Sequence, residues 1–196
     1  MQAKPNIRRQ GREQREAMGP GARAELDGRI VTRCMEELDW GSYRRVMVFL
    51  PIERRHEINT WPLVEWIFQI WPSVNLYVPR VVGDELEAVR ITPESKFSPD
   101  RWGIPEPEGG AGLATHDALD LVLTPLLGFD GHGQRVGYGR GYYDRFFSAH
   151  PTARRVGLGF ECLLVENGIP AEPHDRPLHD VITEEQRYAV AHIEKS

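Results

Sequence analysis

Glycines and arginines are interleaved in one segment of the chain, and these are residue types that bind phosphate. Gly137, Gly139 and Gly141 occur at every second position, with Arg135 and Arg140 placed among them. Glycines let backbone N–H groups come close to an anion, and arginines supply positive charge and paired donors for phosphate oxygens. The segment therefore predicts a phosphate cradle, although a glycine-rich turn with surface arginines has the same composition.

Two carboxylates stand on either side of these glycines. Asp130 precedes them and Asp144 follows, and carboxylates beside a phosphate site are where Mg²⁺ usually binds. Each could instead cap a helix or form a salt bridge. The segment contains neither GxxxxGK[ST] nor GxGxxG, so it is not one of the widespread nucleotide-binding loops.

The neighbouring elements place this segment between a strand and a helix. The apolar run Leu119–Pro125 predicts a buried strand before it, and residues Gly141 to His150 are predicted to form a helix after it. The N-terminus of that helix adds positive partial charge to the cradle.

Helical and strand patterns alternate along the rest of the chain. Helices are predicted at Lys4–Met18, Ala22–Leu38 and Thr60–Trp71, and strands at Arg45–Leu50, Val74–Val78, Leu86–Thr92, Arg155–Phe160 and Asp180–Thr183. The first helix is dense in charge and is expected to be solvated. Thr60 is expected to cap its helix, a proline to end the strand at Val78, and Pro99–Gly112 to form a long loop. Several strands are apolar on both faces, which favours an α/β fold: a single layered domain over residues 1–196, with a largely parallel central sheet flanked by helices.

Composition excludes several classes of protein. The 196 residues are 40% hydrophobic and 27% charged, as in a globular protein, and the net charge of -5 argues against a broad nucleic-acid surface. Cys34 and Cys162 are the two cysteines, too few for a disulfide framework and without zinc-site spacing. The sequence contains neither a membrane-length apolar run nor a secretory signal. We expect a cytoplasmic monomer with small-molecule substrates and no nucleic-acid or membrane partner.

The segment from Pro125 to Asp144 resembles the hallmark motif of the 5-formyltetrahydrofolate cyclo-ligase family, P-x-x-x-F-D-x-x-G-x-R-x-G-x-G-[KRG]-G-Y-Y-D. The similarity extends along the chain through Lys4-x-x-x-Arg8, Phe49-Leu-Pro, Glu57-Ile-Asn-Thr, Val78-Pro-Arg, Trp102-Gly-Ile-Pro-Glu-Pro, Pro170-x-Glu-x-His-Asp and Asp180-Val-Ile-Thr-Glu. The resemblance implies an enzyme that uses ATP and Mg²⁺ to convert 5-formyltetrahydrofolate into 5,10-methenyltetrahydrofolate.

The resemblance also implies a role for individual residues. It implies ATP binding by Lys4, Arg8, Arg135, Gly137, Tyr138, Gly139, Arg140, Gly141, Tyr142 and Tyr143. It implies folate binding by Ile52, Glu57, Asn59, Trp102, Tyr138 and Tyr142, Mg²⁺ binding by Asp144 and Asp175, and catalysis by Arg140, Tyr142 and Arg135. Packing beneath the loop is the favoured alternative for Tyr143, and Trp102 could equally anchor a loop.

The sequence departs from the family pattern at three places. Leu163 stands where the family usually has Gln, the strand from Leu86 to Ala88 lacks the family's Met-x-Phe, and Glu53–His56 is a charged insertion. We expect the Leu163 and Leu86–Ala88 changes to lie near the substrate. They leave open a non-catalytic nucleotide-binding paralogue, and a small-molecule kinase is a third hypothesis.

Overall fold

The computed structural model describes residues 2–100, 103–110, 112 and 118–190. The helices in this part are α1 Lys4–Ala17, α2 Pro20–Glu37, α3 Trp61–Ile70 and α4 Tyr142–Ala149. The strands are β1 Arg45–Met47, β2 Asn75–Val82, β3 Glu85–Ile91, β4 Phe97–Pro99, β5 Pro105–Pro107, β6 Leu121–Pro125, β7 Gly128–Phe129, β8 Arg135–Val136, β9 Arg154–Leu158, β10 Asp180–Ile182 and β11 Arg187–Ala189.

Seven of these strands form the central sheet, in the order β11-β10-β9-β6-β1-β2-β3. The pairs from β10 to β2 are parallel, and the two outer strands, β3 and β11, are antiparallel to their neighbours. The inner strands are apolar on both faces because both faces are covered; Val46, Met47, Leu121, Val122, Leu123, Val156 and Val181 are all buried. The predicted α/β fold with a mostly parallel sheet is confirmed.

The connections leave the middle of the sheet in opposite directions. From β1 the chain passes through α3 to β2 on one side, and from β6 it passes through α4 to β9 on the other. Ligands of open parallel sheets bind in the crevice that this divergence opens, at the carboxyl ends of the strands. The residues after Met47 and after Pro125 therefore meet at one edge of the sheet.

Helix α1 packs closely against the chain that follows β6. Ile7, Gly11 and Arg15 are its buried residues, and a Cβ on Gly11 would lie 2.0 Å from the backbone oxygen of Leu127. Only glycine permits this approach. The prediction of a solvated helix was wrong, because one face carries a short buried stripe between charged neighbours.

Three local predictions were wrong. Strand β2 continues through Pro79 to Val82, since β1 pairs with it only as far as Tyr77 and leaves that edge open, where a strand tolerates proline. The expected loop Pro99–Gly112 contains β5, which forms a hairpin with β4. Thr60 does begin α3, but its hydroxyl donates to the Phe49 carbonyl instead of capping the helix.

The cysteines are both free, Cys34 buried and Cys162 exposed. Within the described residues, no helix combines the length and the apolar character needed to cross a membrane.

Candidate active site

The glycine segment forms a loop between the end of β6 and the start of α4, and Arg8 of α1 lies on it. The Arg8 Nε donates to the Gly137 carbonyl at 2.9 Å. Gly139 has a φ of 89°, and a Cβ there would lie 3.0 Å from the central carbon of the Arg8 guanidinium. Glycine at this position thus allows both the left-handed turn and the contact with Arg8. Gly141, with a φ of 68°, immediately precedes α4.

A cavity of about 210 Å³ opens above this loop, and we call it the loop cavity. It is lined by the α1 side chains Lys4 and Arg8, by the glycine loop, by the first turn of α4 and by residues 172–175. The structure therefore brings together the residues for which the sequence predicts ATP and Mg²⁺ binding: Lys4, Arg8, Arg135, Gly137, Tyr138, Gly139, Arg140, Gly141, Tyr142, Tyr143, Asp144 and Asp175.

Lys4 connects α1 to the acidic wall of the loop cavity. Its Nζ lies 2.6 Å from Asp175 Oδ2 and 2.7 Å from Glu172 Oε2. Burial alone would raise the pKa of Asp175, but hydrogen bonds from Lys4 and from the Glu172 amide lower this pKa below its usual value. Glu172, His174 and Asp175 offer ligand atoms within 4.8 Å of one another. Carboxylate oxygens suit a hard cation such as Mg²⁺.

Asp144 is held apart from that acidic group. Its Oδ1 accepts from Arg135 Nη2 at 2.8 Å and from the Arg176 amide at 3.1 Å. The Arg135 side chain is 6% exposed and also donates to the Arg176 carbonyl at 2.6 Å. The two predicted metal ligands therefore share a cavity but not a cluster, and Glu172 is the carboxylate that the sequence prediction missed. Through its contacts with Asp144 and with the Arg176 carbonyl, Arg135 connects the glycine loop and α4 to the segment that carries Asp175.

A second cavity, of about 870 Å³, adjoins the first, and we call it the large cavity. Its walls come from the chain after β1, from β2 and β3, from the glycine loop and from α4. Of the predicted folate-binding residues, Ile52, Glu57, Tyr138 and Tyr142 line it. Asn59 does not: its side chain is exposed and accepts from the Trp61 amide at 3.2 Å. Trp102 lies outside the described residues.

Glu57 is the buried acid of the large cavity, with 5% of its surface exposed. Its Oε2 accepts from the Ile52 amide at 2.9 Å, and its Oε1 accepts from the Tyr138 hydroxyl. Burial raises the pKa of Glu57, and these hydrogen bonds oppose the rise. The result is a carboxylate whose direction is fixed by two donors before any ligand arrives.

The two cavities meet at a shared wall made of Pro125, Tyr138, Arg140, Tyr142 and Tyr143. Arg140 is exposed, and no carboxylate of the described residues lies within ion-pair distance of it. Arg145 is stacked 5.5 Å from the centre of the Tyr142 ring. Tyr143 packs against Phe147 beneath the loop, with ring centres 5.8 Å apart, while still lining both cavities.

The structure places the departures from the family pattern in different parts of the molecule. Leu86 lines the large cavity, as expected. Leu163 does not line that cavity: it is 2% exposed in a 3-10 turn, Glu161–Leu163, and the groove it borders contains Ile7 and Gln10 of α1. A residue that follows the end of β9 cannot reach the crevice between β1 and β6 when its turn folds toward α1.

Sequence reasoning missed several basic side chains of the site. Arg12 and Arg55 line the large cavity, and Arg55 lies 4.4 Å from the centre of the Tyr138 ring. Arg55 belongs to the charged insertion, which forms a 3-10 turn, Glu53–Arg55. The spacing of Lys4, Arg8 and Arg12 at every fourth residue of α1 was the available signal, since such residues share one helix face.

Comparison with known proteins agrees with this architecture. The chain is 34% identical to the 5-formyltetrahydrofolate cyclo-ligase of Escherichia coli K12 over 181 residues, which cover 88% of this chain and 95% of the relative. It is 24% identical to the mouse protein of the same name, with 93% and 94% covered. The solved structure of Aquifex aeolicus 5,10-methenyltetrahydrofolate synthetase shares the fold, with a TM-score of 0.82 at 23% identity and 98% and 95% coverage.

The match to a family extends over nearly the whole chain. Residues 1–184 match the model of the 5-formyltetrahydrofolate cyclo-ligase family. That range includes α1, the glycine loop, the acidic wall and both cavities. The chain belongs to the 5-formyltetrahydrofolate cyclo-ligase family.

Proposed function

We propose that the chain catalyses the reaction for which its family is named, the ATP-dependent conversion of 5-formyltetrahydrofolate into 5,10-methenyltetrahydrofolate. The formyl oxygen attacks the γ-phosphorus of ATP and ADP leaves. The neighbouring folate nitrogen then forms a bond to the activated formyl carbon and loses its proton, and the formyl oxygen departs with phosphate. The products are ADP, phosphate and the ring-closed folate.

The observation that supports this proposal best is the shared wall of the two cavities. A phosphoryl donor and its acceptor must lie in contact, with the reacting atoms about 3–3.5 Å apart. The loop cavity has the charges for a triphosphate, and the large cavity has the size of a site for a drug-sized ligand, roughly 300–1,000 Å³. Arg140, Tyr138 and Tyr142 border both cavities, so they lie where the two ligands would meet.

In this proposal the basic side chains of the loop cavity bind phosphate oxygens. Arg8 lies on the loop, Lys4 lies at the acidic wall, and Arg140 has no carboxylate partner among the described residues. Phosphoryl transfer depends chiefly on positioning and on stabilising charge that spreads over the oxygens. Arg140 is therefore the leading candidate for stabilising the transition state, and Arg135, whose guanidinium is engaged by Asp144, positions the loop.

The donor set of the loop cavity fits Mg²⁺. Asp175 and Glu172 would hold the ion through carboxylate oxygens, with Asp144 available through Oδ2, which no described residue engages. Bound there, the ion would neutralise charge on the phosphates. Lys4 now neutralises Asp175 and Glu172, so its ion pairs must loosen when the metal and the nucleotide bind.

In the large cavity Glu57 would accept hydrogen bonds from N–H donors of the folate ring. A buried carboxylate with fixed direction favours a ligand that presents donors and disfavours one that presents acceptors. Ile52 and Leu86 supply apolar contacts, and the rings of Tyr138 and Tyr142 supply flat ones. Folate binding by Trp102, the monomeric state, the single-domain boundaries 1–196 and the cytoplasmic location stay predictions.

The test is the near-ultraviolet absorbance of the methenyl product, with purified protein, 5-formyltetrahydrofolate, ATP and Mg²⁺. We expect a rise that requires all three, with one ADP released for each product formed. ADP release without the product would favour a small-molecule kinase. ATP binding without turnover would favour the non-catalytic paralogue, for which the placement of Leu163 away from both cavities has removed the structural argument.

A further inference from the structure

A buried arginine lies behind the large cavity without lining either cavity. Arg15, in the last turn of α1, is 1% exposed. Its Nη1 donates to the Tyr138 hydroxyl at 3.0 Å, and its Nη2 donates to the Leu126 carbonyl. Its Nε is buried without a partner among the described residues. A buried guanidinium is costly unless its charge and donors are matched, so stability alone is a poor explanation for this residue.

The donor chemistry fixes the direction of the hydrogen bonds. A guanidinium can only donate, so the Tyr138 oxygen accepts from Arg15 and directs its own proton elsewhere. That proton goes to Glu57 Oε1. The chain of contacts therefore runs from Arg15 through Tyr138 to Glu57, and only the last two members line the large cavity.

In the described part of the chain, Glu57 is faced by charged side chains and by hydroxyls that can titrate. Burial raises its pKa; the Tyr138 hydroxyl donates to it, and the charges of Arg15 and Arg55 oppose the rise. Tyr143 faces it from α4. Arg55 is partly exposed and stacked on the Tyr138 ring. Arg15 is thus the fully buried positive charge that favours the ionised carboxylate, and its field is little screened by water.

We infer that Arg15 is a positioning residue for the folate substrate, acting through the Tyr138 hydroxyl to hold the Glu57 carboxylate ionised and correctly oriented. This inference rests on the proposed function of the large cavity. It makes Arg15 a determinant of folate affinity that the ligand never touches. The nucleotide side should depend on it far less, since Glu57, the carboxylate that this chain of contacts orients, lines the large cavity and not the loop cavity.

The experiment compares Arg15→Gln and Arg15→Lys with the control Arg9→Gln, an exposed arginine of the same helix whose ion pair is with Glu13. We expect Arg15→Gln to raise the KM for 5-formyltetrahydrofolate roughly tenfold, the effect of losing one hydrogen bond to a charged group. The KM for ATP should stay within about twofold, since Glu57 does not line the loop cavity. Arg15→Lys keeps the charge and should restore part of the affinity.

The pH profile separates positioning from general loss of structure. Without Arg15 the pKa of Glu57 rises further, so the acidic limb of kcat/KM for the folate moves to higher pH. Asp27 also lies in the field of Arg15, and burial raises its pKa to about 6. The profile is therefore repeated in an Asp27→Asn background, where the displacement of the limb should persist.

Tyr138→Phe provides a second route if Arg15→Gln does not fold. It removes the connecting hydroxyl and leaves Arg15 in place, so adding Arg15→Lys to it should weaken folate binding by much less than in the wild type. An unchanged folate KM, an unmoved acidic limb, or equal rises of both KM values would overturn the inference. Calorimetric Kd values for 5-formyltetrahydrofolate give the same comparison without turnover, so inactivity of the wild type would count against the proposed function alone.

Discussion

The loop cavity and the large cavity lie side by side but hold their charges in opposite ways. In the loop cavity Lys4 and Asp175 pair with each other near the surface, 2.6 Å apart. In the large cavity Glu57 is buried and receives hydrogen bonds from the Ile52 amide and the Tyr138 hydroxyl. In the proposed function, the loop cavity would exchange its internal ion pairs for the charges of a ligand, and the large cavity would present a fixed acceptor.

This difference determines which substitutions each cavity can tolerate. A phosphate site with several mobile cations loses affinity in steps as single charges are removed. The affinity of a buried acceptor for its ligand depends instead on the packing that orients the acceptor. A buried group cannot turn to recover a misplaced hydrogen bond, so the bond is either formed fully or lost. Charge changes should therefore act on the nucleotide, and packing changes on the folate.

The largest effect is expected at the wall shared by the two cavities. Arg140→Ala should lower kcat by about 10²–10³-fold, the usual loss when a donor to transition-state charge is removed. The midpoint of thermal unfolding should not change, because Arg140 is exposed and lacks a carboxylate partner in the described chain. Initial rates of methenyl formation measure this, with Arg9→Ala as the control. A fall of less than threefold would remove Arg140 from the catalytic step.

Gly11→Ala should damage both sides together. The added Cβ would lie 2.0 Å from the Leu127 carbonyl oxygen, so α1 must move. Overpacking of this kind costs about 2 kcal/mol of folding stability, and both KM values should rise because α1 carries side chains of both cavities. Gly28→Ala in α2 is the matched control, since a Cβ there meets nothing within 4 Å. If only one KM rises, the two cavities do not share α1 as a common support.

Lys4→Ala should affect the nucleotide alone. Its ammonium is close to the cavity that would hold the phosphates, and losing one charge-assisted contact should raise the KM for ATP roughly tenfold. The KM for 5-formyltetrahydrofolate should remain within about twofold. Lys96→Ala, an exposed lysine of the linker between β3 and β4, serves as the control. Equal rises in both KM values would contradict the division of charge between the cavities.

The smallest effect on activity is expected at Leu163. Leu163→Gln should change the folate KM by less than about twofold while lowering the free energy of unfolding by roughly 2–3 kcal/mol, because it buries an amide in the core. Leu86→Gln is the contrasting variant, since Leu86 lines the large cavity. Its folate KM should rise. Urea titrations and initial rates distinguish the two, and a changed folate KM in Leu163→Gln would place that side chain back at the substrate.

Much of the fold could be predicted from local patterns. The strand at Leu119–Pro125 and the helix before His150 follow from apolar runs and from glycine at their boundary, which are properties of neighbouring residues. The residues of the loop cavity followed from glycine–arginine spacing and a family motif. The fold brings these residues together around one cavity.

The other features of the site depend on the order of the strands in the sheet. The crevice between β1 and β6 joins Glu57 to Tyr138, 81 positions apart, and no local pattern encodes that pairing. The same is true of Arg15, which looks like one more charge on a solvated helix until α1 docks on Leu127. Leu163 shows the converse case, since a departure from the family pattern suggested a position near the substrate, but the side chain lines neither cavity.

The basic face of α1 reaches both cavities, with Lys4 and Arg8 at the loop cavity and Arg12 at the large one. In the proposed function, this one helix would therefore border the binding sites of both co-substrates. The ligand that binds first and restrains α1 already removes part of the conformational entropy of this helix, so the binding of the second ligand would cost less entropy. Linkage makes such synergy reciprocal: ATP should tighten folate binding by the same factor as folate tightens ATP.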